Sequence, residues 1–255
     1  MKYEKLKVVI PSRYGSSRLN GKPLIELAGR PMIEWVYRKT ISALPEAEVL
    51  IATDDKKISD FLEAKGFNFV MTSRDHESGT DRIAEVATML DWHDDNVVLN
   101  VQGDEPLLPE DLLTSFARFC CSHENLEMAT VMAAVKDSNL INDPDIVKII
   151  TSRAGNAINF SRLPIPYLRD KKGSSTTDCY YRHIGLYGYS VATLKNLSTE
   201  PQCYLEKYEK LEQLRALWMG ITVAVMEWGV TPPHGVDSDK DINRVSDLLV
   251  WEGLK

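Results

Sequence analysis

The chain has 255 residues, of which 44% are hydrophobic and 26% are charged, and its formal net charge is −7 at pH 7. These proportions are typical of a globular protein with one large domain. The acidic balance argues against nucleic acid as the main partner, because phosphate backbones require a basic surface. No apolar run approaches the roughly 18 residues that a membrane span requires, so we expect no membrane association.

The chain begins MKYEKLKVVIPSR, which has neither an apolar signal core nor a small-residue cleavage site. Export through a signal peptide is therefore not expected. The four cysteines form no C-x-x-C pair, so the sequence predicts neither a zinc site nor a redox motif. A reducing cytoplasm is the simplest location for such a chain.

Strands and helices alternate over about the first 125 residues. Helical periodicity predicts helices over 31–44, 54–66 and 78–92. Pro31 suits the first position of the first helix, and Thr80 is a candidate N-cap of the third. Such alternation is typical of parallel βαβ units and predicts an open α/β sheet. Four apolar runs predict its buried strands: LKVVI (6–10), EVLIAT (48–53), NFVM (68–71) and NVVLNV (96–101).

The second half of the chain is richer in strands, which predicts added sheet and a small lobe. One amphipathic helix is predicted over 203–220 and ends at Gly220, and a last helix begins at Ser238 and Asp241, which fit a capping box. The polar residues 168–179 predict a loop. Five runs predict the strands: EMATVMAAV (127–135), IVKIITS (146–152), NAINFS (156–161), RHIGLYGYS (182–190) and ITVAVMEW (221–228).

A loop of small and cationic residues, IPSRYGSSRLNGKPL (10–24), continues from the first strand. Ligands of open α/β sheets bind beyond the carboxyl ends of the strands, and small residues let backbone N–H groups approach phosphates. Arg13, Arg18 and Lys22 supply neutralising charge. The loop matches neither G-x-x-x-x-G-K-[ST] nor G-x-G-x-x-G. Its composition favours a phosphate site over the alternative, a solvated basic turn.

Two acidic segments are candidates for cation binding. Asp104 and Glu105 end a buried strand in NVQGDEPLL, and Mg²⁺ prefers one or two carboxylates together with substrate phosphates. An acidic turn before a helix explains that segment equally well. Asp237 in HGVDSDKD is a candidate second ligand, although a polar residue at a helix start is the simpler interpretation of this residue alone.

Further polar residues suit anion or substrate binding. Ser78, Gly79 and Thr80 form a helix N-terminus that suits an anion or a base, although simple capping is the plainer interpretation. An arginine such as Arg162 binds carboxylates through two parallel hydrogen bonds. A core histidine and solvated helix residues are the commoner interpretations of the remaining candidates: His183, Tyr187, Glu212 and Gln213.

Taken in order, eight motifs resemble the 3-deoxy-manno-octulosonate cytidylyltransferase family. They are IPSRYGSSRLNGKPL, ATDD, DHESGTDR, NVQGDEPLL, FSRLPIPY, RHIGLYGY, LEQLR and GVDS, and the resemblance covers about residues 6–247. The resemblance implies a nucleotide-diphospho-sugar transferase fold, a Rossmann-like mixed sheet flanked by helices with a small dimerisation lobe. One domain over 1–255 is implied, with a nucleotide-binding half (about 1–125) and a sugar-acid-binding and dimerisation half (about 126–255).

The activity implied by the resemblance is transfer of CMP from CTP to the anomeric hydroxyl of 3-deoxy-manno-octulosonate (Kdo), with release of pyrophosphate. This reaction supplies lipopolysaccharide or capsule synthesis, and a cytoplasmic homodimer that uses Mg²⁺ is expected. Residues implied in catalysis are Arg13, Lys22, Asp104 and Asp237, of which the two aspartates hold Mg²⁺. Residues implied in nucleotide binding are Arg13, Ser16, Ser17, Lys22, Ser78, Gly79, Thr80 and Gln102. The sugar acid is assigned to Arg162, His183, Tyr187, Glu212 and Gln213.

Four positions depart from the usual family pattern. Ser12 and Gly188 stand where alanine is common, Asn20 stands where proline is common, and His234 occupies a variable position. None of these changes removes a charged ligand, but they leave 8-amino-Kdo or another acid sugar as alternative substrates. A nucleotide-sugar-dependent glycosyltransferase normally shows a D-x-D motif, which the segment at Asp104 lacks. The paired candidate ligands argue against a non-catalytic nucleotide sensor.

Overall fold

A computed structural model describes most of the chain: residues 5–15, 19–76, 78–169 and 177–253. The predicted site residues Ser16 and Ser17, together with Arg18, lie outside the described residues. Residues 170–176 of the predicted polar loop also lie outside them.

Strands and helices follow the predicted alternation. The strands are β1 (Leu6–Ser12), β2 (Glu26–Leu27), β3 (Arg30–Pro31), β4 (Glu48–Thr53), β5 (Phe69–Met71), β6 (Val97–Asn100), β7 (Met128–Ala134), β8 (Lys148–Thr151), β9 (Ala157–Ser161), β10 (Tyr181–Ser190) and β11 (Val223–Trp228). The helices are α1 (Met32–Ala43), α2 (Lys56–Lys65), α3 (Gly79–Met89), α4 (Glu110–Ser122), α5 (Val191–Thr199), α6 (Tyr204–Glu209), α7 (Gln213–Trp218) and α8 (Asp239–Gly253).

The main sheet is mixed, as predicted, and has the strand order β11-β7-β10-β6-β1-β4-β5. Strands β1, β4, β5 and β6 pair in parallel, whereas β10 runs antiparallel to both β6 and β7. The pair β8 and β9 extends from β10 beside this path. Because β10 pairs directly with β6, the two halves of the sequence contribute to one continuous sheet.

Helices cover both faces of the sheet. One face packs Ile10 against Ile33 of α1 and Phe116 of α4, and the other packs Val9 against Ile83 of α3. Adjacent residues of β1 thus enter different cores, as expected for a central strand buried on both sides. A third cluster packs α8 against the segment after β1. Among the described residues, no helix combines the length and apolarity needed to cross a membrane.

The prediction of one helix over 203–220 was wrong, because the chain forms α6 and α7 with a break at Lys210. Lys210 has φ 55° and ψ 47°, in the left-handed region. Arg162 Nε donates to the Glu209 carbonyl oxygen at 2.7 Å, and the Glu209 carboxylate accepts hydrogen bonds from Ser161 and Arg162. The carbonyl of Glu209 therefore bonds to β9's end instead of continuing a helical ladder.

Helix starts differ from prediction at two places. Ser78, not Thr80, caps α3: its hydroxyl oxygen accepts a hydrogen bond from the backbone N–H of Asp81 at 3.1 Å. Helix α5 was not predicted, and Ser190 caps it in the same way. The predicted capping box of α8 is half formed, since Asp241 accepts from the backbone N–H of Ser238 at 3.0 Å.

Candidate active site

Two pockets adjoin beyond the carboxyl ends of β1 and β6. The first has a volume of about 400 Å³ and the second about 260 Å³. Gly79, Gln102 and Glu212 line both. A molecule bound in the first pocket therefore meets one bound in the second at this shared boundary.

Predicted site residues divide between the two pockets. Those lining the first are Arg13, Lys22, Ser78, Gly79, Gln102, Asp104, Glu212 and Asp237. Those lining the second are Gly79, Thr80, Gln102, His183, Tyr187, Glu212 and Gln213. Thr80 thus lies on the side assigned to the sugar acid, although the sequence grouped it with nucleotide binding.

Lys22 links the two predicted metal ligands in the first pocket. Its Nζ lies 2.7 Å from Asp104 Oδ2 and 3.7 Å from Asp237 Oδ1. Lys22 begins a short 3₁₀ helix whose preceding residue, Gly21, has φ 70°, a conformation that favours glycine. The turn thereby directs a cation between two carboxylates that are 133 positions apart in the chain.

Asp237 is held through the backbone at the start of α8. Asp241 Oδ2 accepts hydrogen bonds from the backbone N–H groups of Asp237 and Ser238, at 3.1 and 3.0 Å. Desolvation opposes ionisation of Asp241, but hydrogen bonds from Arg244 and Ser238 outweigh it and lower its pKa to about 2. Asp241 therefore stays ionised and keeps the segment that carries Asp237 in place.

The start of α3 borders the first pocket closely. A Cβ on Gly79 would lie 3.3 Å from Pro11 Cγ, so a larger residue would crowd β1 there. One turn further, Arg82 donates to Asp54 Oδ2 at 2.6 Å while also lining the pocket. The free N–H groups and positive dipole end of α3 suit an anion at this border.

The second pocket contains neutral hydrogen-bonding groups beside charged side chains, among them Lys210 and Arg215. Thr80 Oγ1 donates to Glu212 Oε2 at 2.9 Å, and His183 Nε2 lies 2.9 Å from Thr130 Oγ1. Desolvation, assisted by the neighbouring Arg182, lowers the pKa of His183 to about 3. Desolvation raises the pKa of Glu212, against the effect of the Thr80 hydrogen bond. The pocket therefore offers hydrogen-bonding groups for hydroxyls, and Lys210 and Arg215 line it with positive charge that suits an acid.

Two tyrosines complete this wall of the second pocket. Desolvation raises the pKa of Tyr187 and of Tyr189 above the ordinary tyrosine value. The ring of His183 lies 5.3 Å from that of Tyr187, centroid to centroid. Both phenols are thus protonated and available for hydrogen bonding at neutral pH.

Among the predicted site residues that the structure describes, Arg162 is the one that lies away from both pockets. Its guanidinium donates to the backbone carbonyl oxygens of Glu209 and Pro144, each at 2.7 Å. The bond to Glu209 fastens the end of β9 to α6, and the bond to Pro144 fastens it to the segment before β8, which is a structural role. Its assignment to the sugar acid stays a prediction that this arrangement does not support.

Sequence reasoning missed several pocket residues. His76, whose Nε2 lies 2.6 Å from Glu85 Oε2, lines the first pocket, as does Arg82. Asn100 and Tyr189 line the second pocket, and both are at least 98% buried. A polar residue inside the apolar run NVVLNV was the available signal for Asn100, since buried polar side chains require partners.

The carboxylates of Asp104 and Asp237 suit a hard cation that takes few of its ligands from the protein. No group of three or more His, Cys, Asp or Glu side chains that could hold a metal occurs in the part of the chain that the structure describes. Asp104 and Asp237 nevertheless approach one ammonium group, at 2.7 and 3.7 Å. Such a pair fits Mg²⁺ only when substrate oxygens complete its coordination.

Comparisons with known proteins agree with this geometry. The sequence profile described as "Cytidylyltransferase" matches residues 7–224. The 3-deoxy-manno-octulosonate cytidylyltransferase 2 of Burkholderia lata is 51% identical, with 95% of this chain and 92% of that protein covered. That of Burkholderia ambifaria is 49% identical over the same shares. The chain belongs to the 3-deoxy-manno-octulosonate cytidylyltransferase family.

A solved structure supports the same membership in this cytidylyltransferase family. It is described as CMP:2-keto-3-deoxy-manno-octonic acid synthetase complexed with CTP, and it is 36% identical to this chain. The TM-score is 0.89, with 98% of this chain and 100% of that chain covered. The predicted family, fold class and nucleotidyltransferase activity are confirmed: the chain is a cytidylyltransferase with a mixed α/β sheet.

Proposed function

We propose that this cytidylyltransferase transfers CMP from CTP to the anomeric hydroxyl of Kdo, giving CMP-Kdo and pyrophosphate. The observation that carries the proposal is the pair of adjoining pockets. The first contains Lys22 between two carboxylates, and the second presents hydrogen-bonding groups together with the cationic side chains of Lys210 and Arg215. Relatives about half identical in sequence are named for the same sugar acid.

In this proposal the triphosphate occupies the first pocket. Arg13, which is exposed at the end of β1, and Lys22 neutralise its charge. The N-terminus of α3 at Gly79 lines the same pocket and adds backbone N–H groups. Transfer then depends chiefly on positioning and charge neutralisation, because the attacking hydroxyl and the α-phosphorus must be aligned across the boundary between the pockets.

We assign Asp104 and Asp237 as the protein ligands of Mg²⁺. Their convergence on the Lys22 ammonium group supports this assignment, as does the hard oxygen character of both side chains. Mg²⁺ bound there would lower the pKa of the attacking hydroxyl and stabilise the pyrophosphate leaving group. Lys22 must then exchange its carboxylate partners for phosphate oxygens, which lie in the same pocket under this proposal.

Kdo occupies the second pocket in the same proposal. Neutral His183 and protonated Tyr187 exchange hydrogen bonds with sugar hydroxyls, and Gln213 offers both a donor and an acceptor. Glu212 at the boundary accepts a hydrogen bond from a sugar hydroxyl through its carboxylate. Discrimination among acid sugars depends on these groups, because a site that hydrogen-bonds a hydroxyl rejects analogues that lack it.

The test is pyrophosphate release from CTP and Mg²⁺ with Kdo, 8-amino-Kdo and sialic acid supplied in turn. We expect kcat/KM to be highest with Kdo. A higher kcat/KM with 8-amino-Kdo or sialic acid would show that this acid, and not Kdo, is the acceptor. The cytidylyltransferase chemistry of the proposal would still hold. Absence of release with all three acids would refute the proposal.

We further propose that the protein is a homodimer. Large apolar side chains are exposed along the second half of the chain, on β9, the segment after it, α6 and α7. Tyr208 is 86% exposed, and the rings of Tyr204 and Trp218 meet edge-on at 5.2 Å on the same surface. We propose that a second copy of the chain covers this exposed apolar surface. Light scattering after gel filtration should give about twice the monomer mass of 28.8 kDa, and Tyr208→Asp should reduce it.

A cytoplasmic location is proposed as well, in keeping with four free thiols at Cys120, Cys121, Cys179 and Cys203. The product would serve lipopolysaccharide or capsule synthesis in the same compartment. Cell fractionation with antibody detection tests the location, and recovery of the protein in the periplasmic fraction would contradict it.

A further inference from the structure

The hydroxyl of Thr80 is directed at the sugar side of the boundary. Thr80 lies in the first turn of α3 and is 8% exposed, and its Oγ1 donates to Glu212 Oε2 at 2.9 Å. Glu212 immediately precedes α7 and makes no capping bond to that helix. The bond therefore connects α3 with the residue before α7 at the boundary between the two pockets.

Buried polar groups form a hydrogen-bonded network with Thr80. The hydroxyl of Tyr189, a residue that is 2% exposed, interacts with the side chains of Thr80 and Asn100. Asn100 Oδ1 in turn accepts from Gln102 Nε2 at 3.2 Å. Side chains fixed by such a network lose little further freedom when a ligand binds.

Glu212, like Gln102, lines both pockets. Its Oε2 is held by Thr80, and no hydrogen bond to its other carboxylate oxygen occurs among the described residues. The charged neighbours that act on it are Asp81 and Glu206, which disfavour its ionised form, and Arg215, which favours it. Arg215 itself is committed to Glu206 through two hydrogen bonds, at 2.9 and 2.7 Å. Thr80 is therefore the direct anchor of the Glu212 carboxylate.

We propose that Thr80 is a positioning residue for the acceptor sugar, which holds Glu212 so that its second carboxylate oxygen accepts a hydrogen bond from a sugar hydroxyl. This inference rests on the proposed function and assigns Thr80 to the acceptor, whereas the family resemblance implied a role in nucleotide binding. Without the anchor, the carboxylate rotates freely and the sugar must order it on binding.

Three variants test the inference by steady-state kinetics. Thr80→Val keeps the shape and removes the hydroxyl, Thr80→Ser keeps the hydroxyl, and Thr88→Val is the matched control. Thr88 lies on the same helix, and its Oγ1 donates to the backbone carbonyl of Ala84 at 2.9 Å. For Thr80→Val we expect the KM for Kdo to rise about tenfold or more, as for loss of a hydrogen bond to a charged group, with the KM for CTP unchanged.

The pH profile separates positioning from general damage. The hydrogen bond from Thr80 favours the ionised carboxylate of Glu212, so its loss in Thr80→Val should move the acidic limb of kcat/KM for Kdo to higher pH. Thr80→Ser should restore both the KM for Kdo and the position of that limb, and Thr88→Val should resemble the wild type. Should Thr80→Val fail to fold, Thr80→Ala, which also lacks the hydroxyl, must raise the KM for Kdo alone.

The outcomes also separate this inference from the proposed function. A wild-type enzyme without turnover on Kdo refutes the function itself. Wild-type turnover combined with an equal rise of both KM values in Thr80→Val overturns the positioning role, because it shows that Thr80 serves the nucleotide or the fold. An unchanged KM for Kdo, or no recovery in Thr80→Ser, overturns it as well.

Discussion

The backbone N–H of Val236 donates a hydrogen bond to the carbonyl oxygen of Asp104 at 3.0 Å. This single bond joins the segment that follows β6 to the segment that precedes α8, and each segment carries one of the two carboxylates that meet at Lys22. The separation of Asp104 and Asp237 is thus set by backbone contact beside them. Gly235 makes that contact possible, since a Cβ there would lie 2.2 Å from the Asp104 carbonyl oxygen.

Gly235→Ala should therefore disrupt the carboxylate pair. The added methyl group cannot be accommodated, because the atom it meets belongs to the backbone, so the two segments must move apart. We expect kcat to fall about a hundredfold, as for a displacement of about 1 Å at a reacting centre. Gly229→Ala is the control, since a Cβ at Gly229 would meet nothing within 4 Å. Equal kcat values for both variants would contradict this role of Gly235.

Lys22→Met should remove the cation shared by Asp104 and Asp237. Under the proposed function it also removes a charge that stabilises the departing pyrophosphate, so we expect kcat/KM for CTP to fall about a hundredfold or more. Lys56→Met, at an exposed ion pair with Asp60, is the control and should leave kcat/KM unchanged. Pyrophosphate release measures both. Wild-type kcat/KM in Lys22→Met would exclude Lys22 from the phosphate site.

Asp104→Asn and Asp237→Asn test the metal assignment separately. Each change removes one anionic ligand, and we expect turnover to fall about a thousandfold, corresponding to several kcal/mol of transition-state stabilisation. Calorimetric titration of Mn²⁺ in the presence of CTP should show weaker binding in both variants. Asp60→Asn, an exposed aspartate, is the control. Unchanged Mn²⁺ affinity in either variant would remove that residue from the metal site.

Gly188 and Cys120 form a complementary pair in the core. A Cβ at Gly188 would lie 2.6 Å from Cys120 Sγ, so Gly188→Ala should lower the free energy of unfolding by about 1–3 kcal/mol. Cys120→Ala alone leaves a small cavity. The double variant should lose less stability than the sum of the two single changes, because the new methyl group enters the space that the sulfur vacated. Urea denaturation of the wild type, the two single variants and the double variant measures these free energies of unfolding. Strict additivity of the two changes would contradict direct contact between Gly188 and Cys120.

His183 should make the fold sensitive to mild acid. Desolvation keeps its folded-state pKa near 3, while an unfolded chain protonates it near 6.5. The unfolded state therefore binds more protons between these values, so this residue lowers the free energy of unfolding as the pH falls from about 6.5 toward 3 and has no effect above 6.5. His183→Gln should flatten the pH dependence of stability between about pH 6.5 and 5, measured by urea denaturation. His93→Gln, at an exposed position, should retain the wild-type slope.

The sequence by itself determined the family and the main architecture. Alternation of short apolar runs with helical periodicity defined β1, β4, β5 and β6 and the helices between them, because these signals depend on residues close together in the chain. The order of eight motifs then identified the family more firmly than any single motif. Arg13, Gln102 and Asp104 follow the ends of the parallel strands β1 and β6, which share one edge of the sheet, so the grouping of these three residues was predictable as well.

Tertiary structure decided what depends on residues distant in sequence. Thr80 and Glu212 are 132 positions apart, and their hydrogen bond gives Thr80 a role that its place at a helix start does not indicate. The same applies to Arg162, whose bonds to Glu209 over 47 positions withdraw it from the pocket and interrupt the helix predicted over 203–220. Local sequence specifies which backbone conformations are favourable, but a side chain's partner is chosen by packing, and packing is settled only when the whole sheet is assembled.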